Sequence, residues 1–181
     1  MSDMAITRSD RILLRAMTVE DARDVYRYRN IPDVSIFQGW TPESPEEVEK
    51  YAQDMSQRES FSLGDWYQII IQNRDTNQVM GDVAVCIEKE TGLQAELGIA
   101  LDPKYQKQGF ATEAVQLLSR YLFSEKALRR IRVSIDPRNT DSLNLFARLG
   151  FRQEARHIES LYFKGEWVDD IVMALLQREW G

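Results

Sequence analysis

The chain has 181 residues, 43% of them hydrophobic and 29% charged, with seven Phe, seven Tyr and four Trp. Those large side chains suffice for a packed core, which excludes disorder over the whole length, and 181 residues fit one domain comfortably and two only tightly. A formal net charge of -6 disfavours non-specific binding to nucleic acid, which needs phosphate-neutralising cations, and is compatible with a cationic substrate.

In chain order, residues 11–15 (Arg-Ile-Leu-Leu-Arg) read as a strand. Thr18 then caps a helix, with Asp21 as its acidic partner, running through Ala22, Val25, Tyr26 and Arg29 and ended by Pro32. Residues 31–45 hold three prolines and Gly39 and read as a loop, in which Phe37 and Trp40 either line a cleft or anchor the loop. Ser44 and Pro45 open a second helix, with Glu46 and Glu47 near its positive end. Residues 66–73 and 79–88 read as an antiparallel hairpin, and 94–101 as a third strand. A polar loop through Gly109 leads into a long helix over 111–126. A half-buried strand covers 130–136, and a short helix 139–149 stops at Gly150. Two last strands, 151–163 and 167–176, are joined at Lys164-Gly165-Glu166. The order β-α-α-β-β-β-α-β-α-β-β predicts one α+β domain over 1–181, with helices packed on a mixed sheet.

Residue counts remove several enzyme classes. One cysteine, Cys86, and one histidine, His157, exclude an internal disulfide and a Cys/His zinc site, and no metal is expected. Any Ser-His-Asp hydrolase would have to use His157, which reads as a surface or half-buried strand residue. No apolar run approaches the roughly 20 residues of a membrane-spanning helix. The opening MSDMAITRSDR lacks the apolar stretch of a signal peptide, so a cytoplasmic protein is expected.

The informative segment is the polar turn that follows strand 94–101 and opens into the long helix. Unpaired N–H groups and about half a positive charge make a helix start a phosphate site. Gly109 and Ala111 leave room for an anion, and Lys107 and the Thr112 hydroxyl add donors. Neither G-x-x-x-x-G-K-[ST] nor G-x-G-x-x-G is present. What is present is Gln106-Lys107-Gln108-Gly109-Phe110-Ala111, the pattern Q/R-x-x-G-x-G/A.

Here the sequence resembles the GNAT N-acetyltransferase superfamily, and within it the branch of the ribosomal-protein N-terminal acetyltransferases. A second matching block is Asn139-Thr140-Asp141-Ser142 with Leu145-Phe146 and Gly150-Phe151, similar to N-x-x-S/A-x-x-L-Y-x-x-x-G-F. A third is Gly165-Glu166-Trp167-Val168-Asp169, similar to that branch's closing hairpin. The resemblance implies a mostly antiparallel sheet with helices on both faces, acetyl-CoA as cosubstrate and an amine acceptor. It implies that Gln106, Lys107, Gln108, Gly109, Phe110, Ala111 and Thr112 hold the pyrophosphate, mostly through main-chain N–H groups. It maps the strand that pairs with the pantetheine arm onto Ile99, Ala100 and Leu101. Many relatives place tyrosine where this chain has Phe146, and phenylalanine cannot protonate a thiolate. The branch has serine at the position of Ser142, which becomes the expected acid. Asn139 then binds the pantetheine amide or orients the site, and Phe146 lies at the cofactor side.

Transfer of an acyl group from a thioester to an amine needs a neutral amine, a stabilised carbonyl oxygen and a protonated leaving sulfur. Glu96 is the leading base, because it shares a strand face with Gly98 and Ala100 and so has space beside it. Asp169 and Asp170 are weaker alternatives. Cys86, amid Val83, Val85 and Ile87, reads as a buried structural thiol. A ribosomal N-terminal peptide, another protein terminus, a polyamine and an aminoglycoside all remain possible acceptors. A non-catalytic CoA-binding module is the competing class, and the oligomeric expectation is a monomer or homodimer.

Overall fold

Alternation of apolar residues builds one continuous sheet. The computed structural model describes residues 5–181. Its eight strands are β1 (Ala5–Arg8), β2 (Ile12–Ala16), β3 (Trp66–Asn73), β4 (Val79–Ile87), β5 (Gln94–Leu101), β6 (Arg130–Ile135), β7 (Arg152–Phe163) and β8 (Glu166–Leu176). They lie in the order β1-β2-β3-β4-β5-β6-β8-β7. Every neighbouring pair is antiparallel except β5 and β6. The mostly antiparallel α+β sheet expected from the sequence is therefore present.

Five helices accompany it: α1 (Ala22–Arg29), α2 (Pro32–Ser35), α3 (Pro45–Ser56), α4 (Phe110–Ser124) and α5 (Thr140–Arg148). Their local signals are legible. The Thr18 N–H donates to Asp21 Oδ2 at 2.8 Å ahead of α1, and Ser44 Oγ accepts from the Glu47 N–H at the start of α3. Cross-strand pairs place Val83, Val85, Leu97, Ile131, Val133 and Met173 on one buried face, and they share a single core with Leu118 and Leu122 of α4 and Phe146 of α5.

Four elements depart from the sequence reading. The strand β1 was not expected, since its only large apolar residue is Ile6 and it sits at the sheet edge, where little is buried. Pro32 does not simply end α1. It opens α2 as the first helical residue, while Ile31 before it is extended at ψ 126°, as a residue preceding proline prefers. A turn of 3-10 helix, Pro103–Tyr105, also interrupts the expected polar loop, and α4 ends two residues sooner than read.

The strands β5 and β6 position the site. Joined through α4, they pair in parallel only at Gln94, Ala95 and Glu96 against Arg130, Ile131 and Arg132. Beyond that point β5 continues to Leu101 along β4 alone, and β6 continues to Ile135 along β8 alone. The sheet therefore forks. Glu96 stands at the vertex, and α4 begins beyond the free end of β5, the carboxyl-end crevice that α/β sheets use for ligands.

Candidate active site

A cleft of about 600 Å³ occupies the fork. Ile99, Ala100 and Leu101 of β5 line it, with Gln106, Lys107, Gly109, Ala111 and Thr112 at its far end. One side wall comes from α5 and its cap, including Asn139, Ser142 and Arg148, and the other from Asp33, Val34, Phe37 and Gln38. Ten of the expected site residues thus converge on one space.

The far end is shaped for an anion. Lys107 and Gly109 both take left-handed backbone angles, φ 59° and 84°, and Gly109 is the N-cap of α4. Among the described residues, none accepts a hydrogen bond from the N–H of Lys107, Gln108 or Gly109. The first-turn N–H groups of α4 are likewise free by helix geometry. Arg11 braces the loop from outside, donating to the Gln108 carbonyl at 3.2 Å and to Glu113, with its guanidinium 4.5 Å from the Phe110 ring centre. With that carbonyl held outside, the turn offers amides to the cleft.

Four expected site residues are not among the cleft walls: Glu96, which stands at the vertex of the fork, and Gln108, Phe110 and Phe146. The Gln108 side chain donates to the Lys104 carbonyl at 2.8 Å, so only its main chain is available. Phe110 is buried, edge-on to Tyr105. Phe146 is 2% exposed, packs on Phe151 and is not among the cleft walls. The physical reason is position along α5: Ser142 and Phe146 share a face one turn apart, and Phe146 lies where the helix packs on Phe151 while Asn139, Ser142 and Leu145 line the cleft. Gln106 lines the cleft, but its side chain also caps the Leu101 carbonyl at 3.0 Å.

Asn139 caps α5, its Oδ1 accepting from the Ser142 N–H at 3.2 Å. The Ser142 hydroxyl has no hydrogen-bond partner among the described residues and faces the cleft. Glu96 lies opposite Cys86 on one side and Arg132 on the other. Arg132 approaches its carboxylate at 2.7 Å, a pair the sequence reading did not include. Burial pushes the Glu96 carboxyl up from its usual range, Arg132 opposes that, and Asp170 adds to it. Asp170, 9% exposed, accepts from the Ser134 hydroxyl at 2.6 Å. Asp169 is instead tied to Arg156 and the Glu159 N–H, contacts that hold its carboxyl low. Cys86 is half-buried, not buried, because strand alternation puts it on the face opposite Val83, Val85 and Ile87. His157 is exposed on β7, across from Asp170. Phe37 lines the cleft, whereas Trp40 anchors its loop, stacked at 5.1 Å on Tyr51 and donating to Glu47.

This arrangement can hold a phosphorylated, amide-bearing arm along β5 with a carboxylate at the fork. The sequence profile of the acetyltransferase (GNAT) domain matches residues 11–152. The chain belongs to the GNAT acetyltransferase family. An N-acetyltransferase of Bacillus licheniformis is 34% identical over 176 residues, covering 96% of this chain and 97% of that relative. The GNAT fold recurs in the ribosomal-protein-S5-alanine acetyltransferase of Vibrio fischeri, at TM-score 0.82 and 21% identity over 97% of this chain and 98% of that one. It recurs in the spermidine N-acetyltransferase of Vibrio cholerae, solved with CoA and spermine, at TM-score 0.81 and 20% identity over 94% and 98%.

Sequence reasoning missed Arg11, Gln38 and Arg132. Each acts on the site from a distant part of the chain, and no local pattern marks them. Among the described residues no helix is long and apolar enough to cross a membrane.

Proposed function

We propose that this GNAT chain, as one domain over 1–181, moves the acetyl group of acetyl-CoA to a primary amine by direct attack in a ternary complex. The observation that carries the reading is the fork between β5 and β6, leading to a left-handed turn whose free amides open α4. The loop amides and Lys107 bind the diphosphate. The free edge at Ile99, Ala100 and Leu101 offers main-chain groups to the amides of the pantetheine arm. These features suit acetyl-CoA, and the Vibrio cholerae relative solved with CoA supports the choice.

In the reaction the amine lone pair forms the C–N bond as the C–S bond breaks. Glu96 accepts the proton that the amine sheds, and burial, which raises its affinity for protons, supports that role. Ser142 supplies the proton to the departing sulfur, and its unengaged hydroxyl on the cleft wall supports that role. Asn139 holds the first turn of α5 so that Ser142 stays in place. Phe146 is left a core residue. The acceptor is a protein N-terminus or a small-molecule amine such as a polyamine or aminoglycoside, the protein is cytoplasmic, and it works as a monomer or homodimer.

CoA release from acetyl-CoA, followed across a panel of peptides, polyamines and aminoglycosides, tests the proposal. Turnover is expected on at least one amine class. Glu96→Gln should lose turnover yet keep acetyl-CoA affinity, and Ser142→Ala should lower kcat with little change in KM. Tight acetyl-CoA binding without turnover on any amine would identify a binding module instead.

A further inference from the structure

Ile99 lies on the part of β5 that has parted from β6, so its carbonyl has no strand partner in the cleft. It accepts instead from the side-chain amide of Gln38, at 3.1 Å. Gln38 comes from the segment after α2, and it lines the cleft beside Val34 and Phe37. A glutamine carboxamide is the same kind of donor as the amide N–H groups of a pantetheine arm. A piece of the protein therefore satisfies the edge that the donor would use.

The segment is built to release that contact. Its downstream end is fixed. The Trp40 carbonyl accepts from Arg29 Nη1 at 2.8 Å, and Arg29 is itself locked to the fully buried Asp82. The Pro42 carbonyl accepts from Asn30 at 2.9 Å, and the Glu43 N–H donates to Glu47. Between this anchor and Gln38 lies Gly39, exposed and with open space where a side chain would project. The upstream side reaches another element: the Ser35 carbonyl takes the Gln38 N–H at 3.0 Å and the ammonium of Lys164, at the tip joining β7 to β8. Movement of residues 35–38 is thus bounded by an anchor at Trp40, a free pivot at Gly39 and a tether to the last hairpin.

We infer that Gln38 is a latch: it occupies the Ile99 carbonyl until the amide-bearing arm of the donor displaces it. The inference rests on the acetyl-CoA reading of the site. It makes Gln38 a positioning residue that costs donor affinity.

Calorimetric titration with CoA of the wild type, Gln38→Ala and Gln38→Met tests it. A neutral hydrogen bond has a net worth of about 1 kcal/mol, so removing the latch should tighten CoA binding about fivefold. Gln38→Met keeps the stem and its packing, which guards against a folding defect in the alanine variant. Hydrogen exchange on the wild type gives an independent readout, with the Gln38 amide, held by the Ser35 carbonyl, expected to exchange faster once CoA is bound. Unchanged or weaker CoA binding in both variants, or unchanged or slower exchange at the Gln38 amide, overturns the latch. A wild type that binds no CoA overturns the donor reading itself, and the two failures are distinguishable.

Discussion

Replacing Asp82 by alanine tests how α1 is held to the sheet. Asp82 is fully buried on β4 and accepts from four donors: Arg29 Nε at 2.9 Å, Arg29 Nη2 at 2.6 Å, the Tyr28 hydroxyl and the Gln68 amide. Arg29 is itself 4% exposed, so Asp82→Ala leaves a buried guanidinium without its counter-charge. Breaking a buried pair from one side costs about 3–5 kcal/mol. The stranded Tyr28 and Gln68 donors each add roughly 1 kcal/mol, less where water enters the new cavity. A loss of about 5 kcal/mol is therefore expected, a large share of the 5–15 kcal/mol typical of a folded domain. In urea the midpoint should fall by about 2 M. The paired change Asp82→Leu with Arg29→Met removes both charges and should recover more than half of the loss. A single-variant loss below about 1 kcal/mol would refute the reasoning, since the pair would then be solvated in a way its burial forbids.

Other expectations follow from the same geometry. Arg132 lowers the proton affinity of Glu96, so Arg132→Met should move the acid limb of the kcat/KM profile to higher pH. The shift should be about half a pH unit, because a partly exposed pair is worth under ~1 kcal/mol; an unmoved limb would remove Glu96 as the base. Lys107→Ala should raise the KM for acetyl-CoA about tenfold with kcat unchanged, as expected for loss of one charged phosphate contact. Gln108→Ala should change neither, its side chain being spent on the Lys104 carbonyl. A side-chain carbon at Gly81 would lie 2.2 Å from the Ala100 carbonyl oxygen, whereas one at Gly98 meets nothing within 4 Å. Gly81→Ala should therefore cost about 2 kcal/mol or more in thermal or denaturant melts and weaken donor binding by prising β5 from β4. Gly98→Ala should leave stability nearly unchanged.

Signals confined to a few neighbouring residues were readable along the chain. Alternation in residues 130–136, proline at the start of α3, and the glycine that stops α5 each depend on local backbone preferences. The turn before α4 was readable for the same reason, since glycine at a left-handed helix cap and small residues beside it are short-range requirements. Those signals decided the fold class and the position of the anion end. Burial and partnership were not local. Phe146 and Ser142 lie four residues apart, yet the packing of α5 sends one into the core and the other to the cleft. Glu96 meets Arg132 only because α4 carries the chain back parallel to β5, and Gln38 reaches Ile99 across 61 residues of sequence. Local patterning thus determined which elements form and where the left-handed turn opens α4. Which carboxylate is paired, which aromatic is buried and which amide meets the Ile99 carbonyl were decided only when distant strands came together, because contacts of that range leave no period in the sequence.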